Sequence, residues 1–251
     1  MKFKTLASGS KGNCSIVICD DIKLIIDIGI SYLSLKRKLE SLNLSIDDIT
    51  GILITHSHTD HIKGLTSIIK HTRVKILIPE GMYEELSNIV PSNRIIYLKD
   101  NNSLKDVTIN LIHTSHDVAC SVGYIIAYKE KSLVYITDTG YINRKILPQI
   151  TNKNIYLIES NHDEEMLMNG PYPPFLKQRV IGDYGHLSNK TTASYLQKIV
   201  GKNTEYILLA HLSEKNNTEE LAYETTKNAL NNPKIDISIA KQDEESKLIE
   251  V

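Results

Sequence analysis

The segment 54–61 reads ITHSHTDH, three histidines and an aspartate directly behind the apolar run Gly51-Ile52-Leu53-Ile54. Imidazole and carboxylate without thiolate suit zinc, manganese or iron in a hydrolytic role. His56 and His58 stand two apart, so they cannot share a helix face as the pair in a HExxH helix does, but on an extended loop both can turn towards one cation. Asp60 and His61 open the next helix, where a small rotation of the chain aims them at a second cation beside the first. The competing reading is a polar loop with Asp60 as a helix cap. Other runs also end in ligand-type groups: INLIHTS leads to His116, LVYIT to Asp138 and YILLA to His211. Singly, such residues are more often hydrogen-bonded structural histidines or turn caps. Together they outweigh capping, because the ends of buried strands are where a rigid scaffold presents chemistry. His113 competes with His116, although it lies inside its strand, where alternation decides its direction.

The elements that must position these groups can be read from periodicity. FKTLA, SIVIC and KLIIDIG read as strands, separated by the turn-rich SGSKGN and by Asp20-Asp21. Tyr32, Leu35, Leu39 and Leu42 fall at helical spacing after Ser31. The strand GILIT precedes the histidine loop, and a helix with the apolar face Ile62, Leu65, Ile68 and Ile69 follows it. VKILIP predicts a strand and 81–89 a helix; VTINLIH, VGYIIAY and SLVYITD predict strands. Helices over 189–200 and 218–230 flank the strand EYILLAH. Strand blocks interleaved with helices imply a layered α/β arrangement in which helices cover sheets. No repeat, low-complexity tract or linker divides the chain, so 1–251 is expected to form a single domain.

Bulk properties narrow the function classes. With 41% hydrophobic and 24% charged residues the composition is that of a globular protein. A formal net charge of -1 argues against a uniformly basic nucleic-acid coat, though a local basic face can hide within a neutral total. Cys14, Cys19 and Cys120 form no CxxC pair, which suggests neither a disulfide framework nor a thiolate zinc site and fits a reducing cytoplasm. The N-terminus turns polar before a signal-length apolar segment can form, and no stretch approaches the roughly 20 apolar residues of a membrane span. A cytoplasmic protein without membrane insertion is the expectation; nothing in the sequence specifies an oligomeric state.

THSHTDH resembles the HxHxDH signature of the metallo-β-lactamase superfamily, and the order His56, His58, Asp60, His61, His116, Asp138, His211 is similar to the ligand order of its dinuclear members. SGSKGNC, IDIG at Asp27, SHD at His116, ITDTGY at Asp138, ESNHD from Glu159, GHLSN at His186 and AHLS at His211 resemble, in order, the WalJ (YycJ) family. The resemblance covers nearly the whole chain. It implies a four-layer αββα sandwich with the site at one edge of two packed sheets. It also implies two divalent ions, with His56, His58 and His116 on one, Asp60, His61 and His211 on the other, and Asp138 bridging. The "SHD" match favours His116 over His113. True β-lactamases of the superfamily use a cysteine at the second site, and no cysteine here stands where that ligand is expected, so antibiotic hydrolysis is not the reading.

Two cations about 3.5–4 Å apart can hold a hydroxide between them, which explains why no side-chain nucleophile is needed. In this reading Asp60 binds metal and orients the hydroxide for in-line attack, and His186 is the candidate proton donor to the leaving oxygen, as related phosphodiesterases carry a non-ligand histidine upstream of the last ligand. Asp27, Glu159, His162 and Ser188 are expected to support the ligands or touch substrate. For His162 and Ser188 the alternatives are helix caps. The SGSKGN loop lacks the GK[ST] ending of a P-loop and reads as a tight turn rather than a phosphate cradle. Lys177 and Arg179 are either phosphate contacts or solvated helix charge. The family resemblance implies a DNA exonuclease of the 5′-to-3′ type, with DNA as the partner. The alternatives are a hydrolase of a small ester, thioester or cyclic phosphodiester, and a non-catalytic nucleic-acid-binding or regulatory protein. The span from Asp138 to His211 has no room for the large inserted domain of ribonuclease J.

Overall fold

A computed structural model describes residues 1–251. The strands are β1 Lys2–Ala7, β2 Cys14–Cys19, β3 Ile22–Ile26, β4 Gly51–Leu53, β5 Lys75–Pro79, β6 Ile95–Leu98, β7 Asn101–Leu104, β8 Val107–His113, β9 Val122–Tyr128, β10 Lys131–Ile136, β11 Ile155–Glu159, β12 Tyr206–Ala210, β13 Asp236–Ile239 and β14 Ile249–Glu250. The helices are α1 Tyr32–Glu40, α2 Thr59–Ile62, α3 Leu65–His71, α4 Tyr83–Leu86, α5 Leu147–Ile150, α6 Glu164–Asn169, α7 Pro174–Ile181, α8 Asn189–Ile199 and α9 Glu219–Leu230. Seven strands form one sheet in the order β14-β1-β2-β3-β4-β5-β6, and seven form the other in the order β13-β12-β11-β10-β9-β8-β7.

The central strands of the second sheet, β9 to β12, are buried on both faces, so their sequences are nearly continuous apolar runs, and period-two alternation sorts the side chains into two cores. Leu133, Tyr135, Ile155, Leu157, Leu208 and Ala210 join Phe3, Ile16, Leu24 and Ile52 of the first sheet in one large cluster. Their neighbours Val134, Ile136, Tyr156, Ile158, Ile207 and Leu209 face the other way and pack with Leu196, Ile199 and Ala222 of α8 and α9. On the far side, Leu35, Leu39, Leu65 and Ile68 bring α1 and α3 onto the first sheet. The result is the four-layer αββα sandwich. Each fully buried leucine or isoleucine contributes roughly 1.5–3 kcal/mol against exposure. No helix is long and apolar enough to cross a membrane.

The parallel strands decide where chemistry can sit. β3, β4, β5 and β6 pair parallel in the first sheet, and β10, β11, β12 and β13 do so in the second. Asp27, the ITHSHTDH loop, Asp138, Glu159 and His211 all follow or occupy the C-terminal ends of these strands. In open α/β sheets that edge is the usual place for a ligand.

Several elements differ from the sequence expectation. The single helix expected over Ile62–Ile69 is two, broken at Gly64, because the Gly64 N–H bonds the Ile28 carbonyl at 2.7 Å and a Cβ there would overlap the Ile30 carbonyl. The helix expected over 81–89 shrinks to a 3₁₀ turn, Glu80–Met82, followed by α4. KLIIDIG stops being strand at Ile26. Strands β6, β7, β11, β13 and β14 and helix α5 are additional to the sequence expectation, the strands being short or, for β11, hidden between polar segments.

Candidate metal centre

Three of the strand ends turn sharply. Asp27, Asp138 and His211 all adopt left-handed backbone, with φ of 62°, 53° and 56°. That region is disfavoured for residues with a Cβ and persists only where surrounding bonds hold it. Here they do: the Asp27 N–H bonds the Leu53 carbonyl at 2.8 Å, the His211 N–H bonds Ser8 Oγ at 2.9 Å, and Asn161 Nδ2 bonds the His211 carbonyl at 2.9 Å. Each kink ends a strand and delivers a polar side chain to the sheet edge. Gly29 of IDIG serves the same end, since its backbone lies so near the Asp60 carbonyl and the Asn13 N–H that any side chain would collide with both.

Where the edges of the two sheets meet, the ligand atoms of His56, His58 and His116 lie within 4.8 Å of one another, as do those of Asp60, His61 and His211. Asp138 sits between, with Oδ2 3.2 Å from His61 Nε2 and Oδ1 3.3 Å from His211 Nδ1 and 4.0 Å from His116 Nε2. The far nitrogens of these rings are occupied. His61 Nδ1 faces Asp27 Oδ2 at 2.8 Å, His56 Nδ1 faces Thr55 Oγ1 at 3.1 Å, His116 Nδ1 faces the Tyr184 carbonyl at 3.1 Å, and His211 Nδ1 faces Glu159 Oε1 at 2.9 Å. His58 presents Nδ1 to His116 Nε2 at 3.2 Å and has Asp117 beside its Nε2 at 3.4 Å. Partners on the outer nitrogen fix each ring's orientation and tautomer, as they do for ligating histidines generally.

Asp138, Glu159, His186 and His211 form another tight group, but Glu159 is already saturated. Oε1 accepts from His186 Nδ1 at 2.8 Å and His211 Nδ1 at 2.9 Å, and Oε2 accepts from the Thr139 N–H at 3.2 Å and the Leu187 N–H at 3.0 Å. With four donors in place, this buried carboxylate is a strut for two histidines and has nothing left to offer a cation.

The charges follow from these neighbours. Burial lowers the His56 pKa far below the usual imidazole value and lowers His116 as well, so both are neutral and ready to bind a cation. Burial works against charge on His61 and His211 too, but Asp27 and Asp138 outweigh it at His61, and Asp138 with Asp60 and Glu159 at His211, raising both well above normal. Burial opposes the anions of Asp60, Asp138 and Glu159. His211 and His61 nevertheless hold the two aspartates well below the ordinary carboxylate range, and His186 with His211 brings Glu159 to about 2.

Whether these residues fit a metal can be judged from the buried atoms that make no hydrogen bond. His56 Nε2, Asp138 Oδ2 and His211 Nε2 are among them, and all three belong to this cluster. An unsatisfied buried polar atom costs about 1–3 kcal/mol. Three such atoms in one cluster, two of them on rings whose other nitrogens are locked, are what a cation would satisfy.

A beta-lactamase superfamily domain model matches residues 23–211, the span from just before Asp27 to the last candidate ligand. The chain belongs to the metallo-β-lactamase superfamily. Within it the chain falls in the WalJ (YycJ) family. It is 36% identical over 227 residues to exodeoxyribonuclease YycJ of Bacillus anthracis, covering 88% of this chain and 86% of that one. It is 35% identical over 236 residues to exodeoxyribonuclease WalJ of Streptococcus pneumoniae serotype 2 (strain D39), covering 91% and 88%. The metallo-β-lactamase fold protein YhfI from Bacillus subtilis shares the fold, with a TM-score of 0.74 over 98% of this chain and 99% of that one at 16% identity. As a member of this superfamily, the chain is a metal-dependent hydrolase.

The structure brings His56, His58, Asp60, His61, His116, Asp138 and His211 into one cluster, with Asp27, Glu159 and His186 against them. His113 is exposed and pairs with Asp100 at 3.1 Å, away from the cluster. Ser188 caps α8, its Oγ accepting from the Thr191 N–H at 3.1 Å and donating to Glu164 at 3.0 Å, and it bonds none of the candidate ligands. His162 is buried, its carbonyl accepting from the Asn189 N–H at 2.8 Å and its Nδ1 unpartnered. The α6 cap, for which His162 together with Asp163 is the alternative reading from sequence, is supplied by the Asp163 side chain. Lys177 holds the Met168 carbonyl at 2.6 Å, and Arg179 pairs with Asp117 at the mouth of the site.

Asn13 and Thr55 escaped the sequence reading. Asn13 closes the SGSKGN turn through Gly9, as a tight turn requires, and also sets its Nδ2 3.1 Å from Asp60 Oδ2 and 2.9 Å from His61 Nε2. Thr55 donates its N–H and hydroxyl to Asp27, both at 2.8 Å. Position beside the motif was their only signal, and neither residue type is a ligand.

Proposed function

We propose that this protein is a DNA exonuclease of the 5′-to-3′ type, acting in the cytoplasm as one domain with two divalent cations, zinc or manganese, with iron as a further candidate. The observation that carries the reading is the convergence of seven ligand-type side chains, three of which keep a buried atom without a hydrogen-bond partner. The names of the WalJ and YycJ relatives supply the substrate class. His56, His58 and His116 would hold one cation and Asp60, His61 and His211 the other, with Asp138 shared. Bound there, the pair supplies a water deprotonated near neutral pH and a clamp on the phosphate oxygens.

The chain's own residues do the rest. Asp60 stays ionised, and its partly exposed carboxylate accepts a hydrogen bond from the attacking water and aligns it. His186 gives a proton to the leaving oxygen. Although burial opposes its charge, Glu159 outweighs it and raises the pKa, so the ring holds a proton near neutrality. With Nδ1 bonded to Glu159, Nε2 is the atom that donates, in a cavity that His186 lines. After the transfer Glu159 keeps the neutral ring oriented for reprotonation.

Purified protein would be offered end-labelled single-stranded and duplex DNA, RNA, a generic phosphodiester and a thioester, with manganese or zinc added and Asp60→Ala as control. Early release of the 5′ label, lost in the variant, is expected. Thioester turnover without phosphodiester cleavage overturns the reading, and release of the 3′ label first reverses the polarity.

A further inference from the structure

The cavity at the cluster, about 290 Å³, is of small-ligand size and is lined by His116, His186 and His211 together with Tyr184. A second hollow of about 370 Å³ shares His116 and Tyr184 with it and extends to Tyr141 and Asn143. A third, of about 590 Å³, begins at the next residue, Arg144, and is lined by Lys190, Tyr195 and Lys198. The chain itself makes them neighbours. Arg144 lies six residues beyond Asp138, within about 20 Å even if fully extended, and Lys190 lies four beyond His186. The Ile142 N–H bonds the Tyr195 hydroxyl at 3.1 Å and ties the loop after Asp138 to α8. Lys190 and Lys198 stand eight residues apart on one face of α8, separated by about 12 Å along its axis.

What lines this path is selective. Tyr184 is 66% exposed and Tyr141 44%, large aromatic faces left in water beside the metal centre. Neither the second nor the third hollow has a carboxylate in its lining. Most other basic side chains near acids are paired off: Arg179 with Asp117, Lys11 with Glu214, Lys131 with Glu205, Lys241 with Glu219. Of the three cations in the third hollow only Lys190 has an acidic partner, Glu164 at 3.3 Å. Exposed aromatics followed by a cluster of cations, two of the three without an acidic partner, supply the two components of a single-strand binding track, stacking for bases and charge for phosphates. A net charge of -1 thus conceals a local basic face.

We propose that this groove carries the DNA strand being digested, an assignment that rests on the nuclease reading above. The terminal nucleotide occupies the metal cavity, the following bases stack on Tyr184 and Tyr141, and the phosphates behind them are held by Arg144, Lys190 and Lys198.

The test combines Arg144→Glu, Lys190→Glu and Lys198→Glu in one variant and the corresponding Gln substitutions in another, with thermal melts to verify folding. Binding of fluorescent single-stranded DNA is read by anisotropy without added metal. Turnover of the same DNA and of bis(p-nitrophenyl) phosphate is read with manganese. The charge reversal is expected to weaken DNA binding by about 10- to 100-fold and to flatten the slope of log affinity against log salt by about 2, with the Gln variant intermediate. Turnover of the small diester should be unchanged. Tyr141→Ala should weaken binding about tenfold without altering the salt slope. A wild type that digests DNA while the charge reversal leaves DNA binding and turnover unchanged overturns the groove alone. Equal loss on DNA and on the small diester also overturns it. A wild type that cleaves the small diester but neither binds nor digests DNA overturns the nuclease reading, and the groove with it.

Discussion

On the first sheet, His56, His58, Asp60 and His61 come from one stretch of six consecutive residues running from the loop after β4 into α2, and the buried carboxylate behind them, Asp27, steadies one ring, His61. On the second sheet, Asp138 and His211 come from separate strands, and the buried carboxylate between them, Glu159, steadies two rings, His186 and His211. A loop of contiguous ligands is held largely by its own backbone, and Thr55 adds a second tether to Asp27. Side chains brought from distant strands depend instead on a shared strut. The second half should therefore be the more fragile under substitution.

The sharpest test of that difference is Glu159→Ala. Removing it leaves the buried His211 and half-buried His186 imidazoles and two backbone N–H groups without an acceptor, and a loss of about 3–5 kcal/mol in denaturant unfolding is expected. If the loss were no greater than for Asp27→Ala, the contrast between the halves would fail. His186→Gln separates the strut from the chemistry. It is expected to lower kcat by about 10²–10⁴-fold while metal content measured by emission spectroscopy stays at the wild-type value. Asp27→Asn retains the size of the side chain and one carbonyl acceptor for the Thr55 N–H, while losing the acceptor that faces His61, so the expected effect is milder, about a 10- to 100-fold loss of metal affinity measured by competition with a chelator. Smallest is Ser188→Ala, which removes the cap of α8 at a cost of about 1 kcal/mol in unfolding and should leave metal affinity unchanged. A fall in metal affinity there would return Ser188 to the site.

The first half was the more legible from sequence, and for the same reason. ITHSHTDH displays its ligands within one short motif, and strong periodicity revealed the strands on either side of β4 together with α1, α8 and α9. β11 was missed because IYLIE is short and sits between polar stretches, and with it went the strand-end status of Glu159; that residue was reached only through the ESNHD motif. Asn13 was read as part of a turn, which it is, but its amide also meets Asp60 and His61, a contact between residues far apart in the chain. Ser188 shows the two readings of one residue: its place inside a family-like motif suggests the site, and the structure gives its side chain the alternative role of capping α8.

By itself the sequence determined the class of chemistry, through residue types that bind cations and apolar runs long enough to be buried on both faces. It also determined the layered fold, because alternation within those runs requires a core on either side of the second sheet. Only the tertiary structure decided which atoms face one another. The left-handed turns at Asp27, Asp138 and His211, the four donors on Glu159 and the unpartnered Nε2 atoms of His56 and His211 arise where the two sheets meet. Local spacing sets the direction of a side chain along its own strand. The partner it meets is set by how two sheets pack, and that depends on contacts between residues distant in the chain.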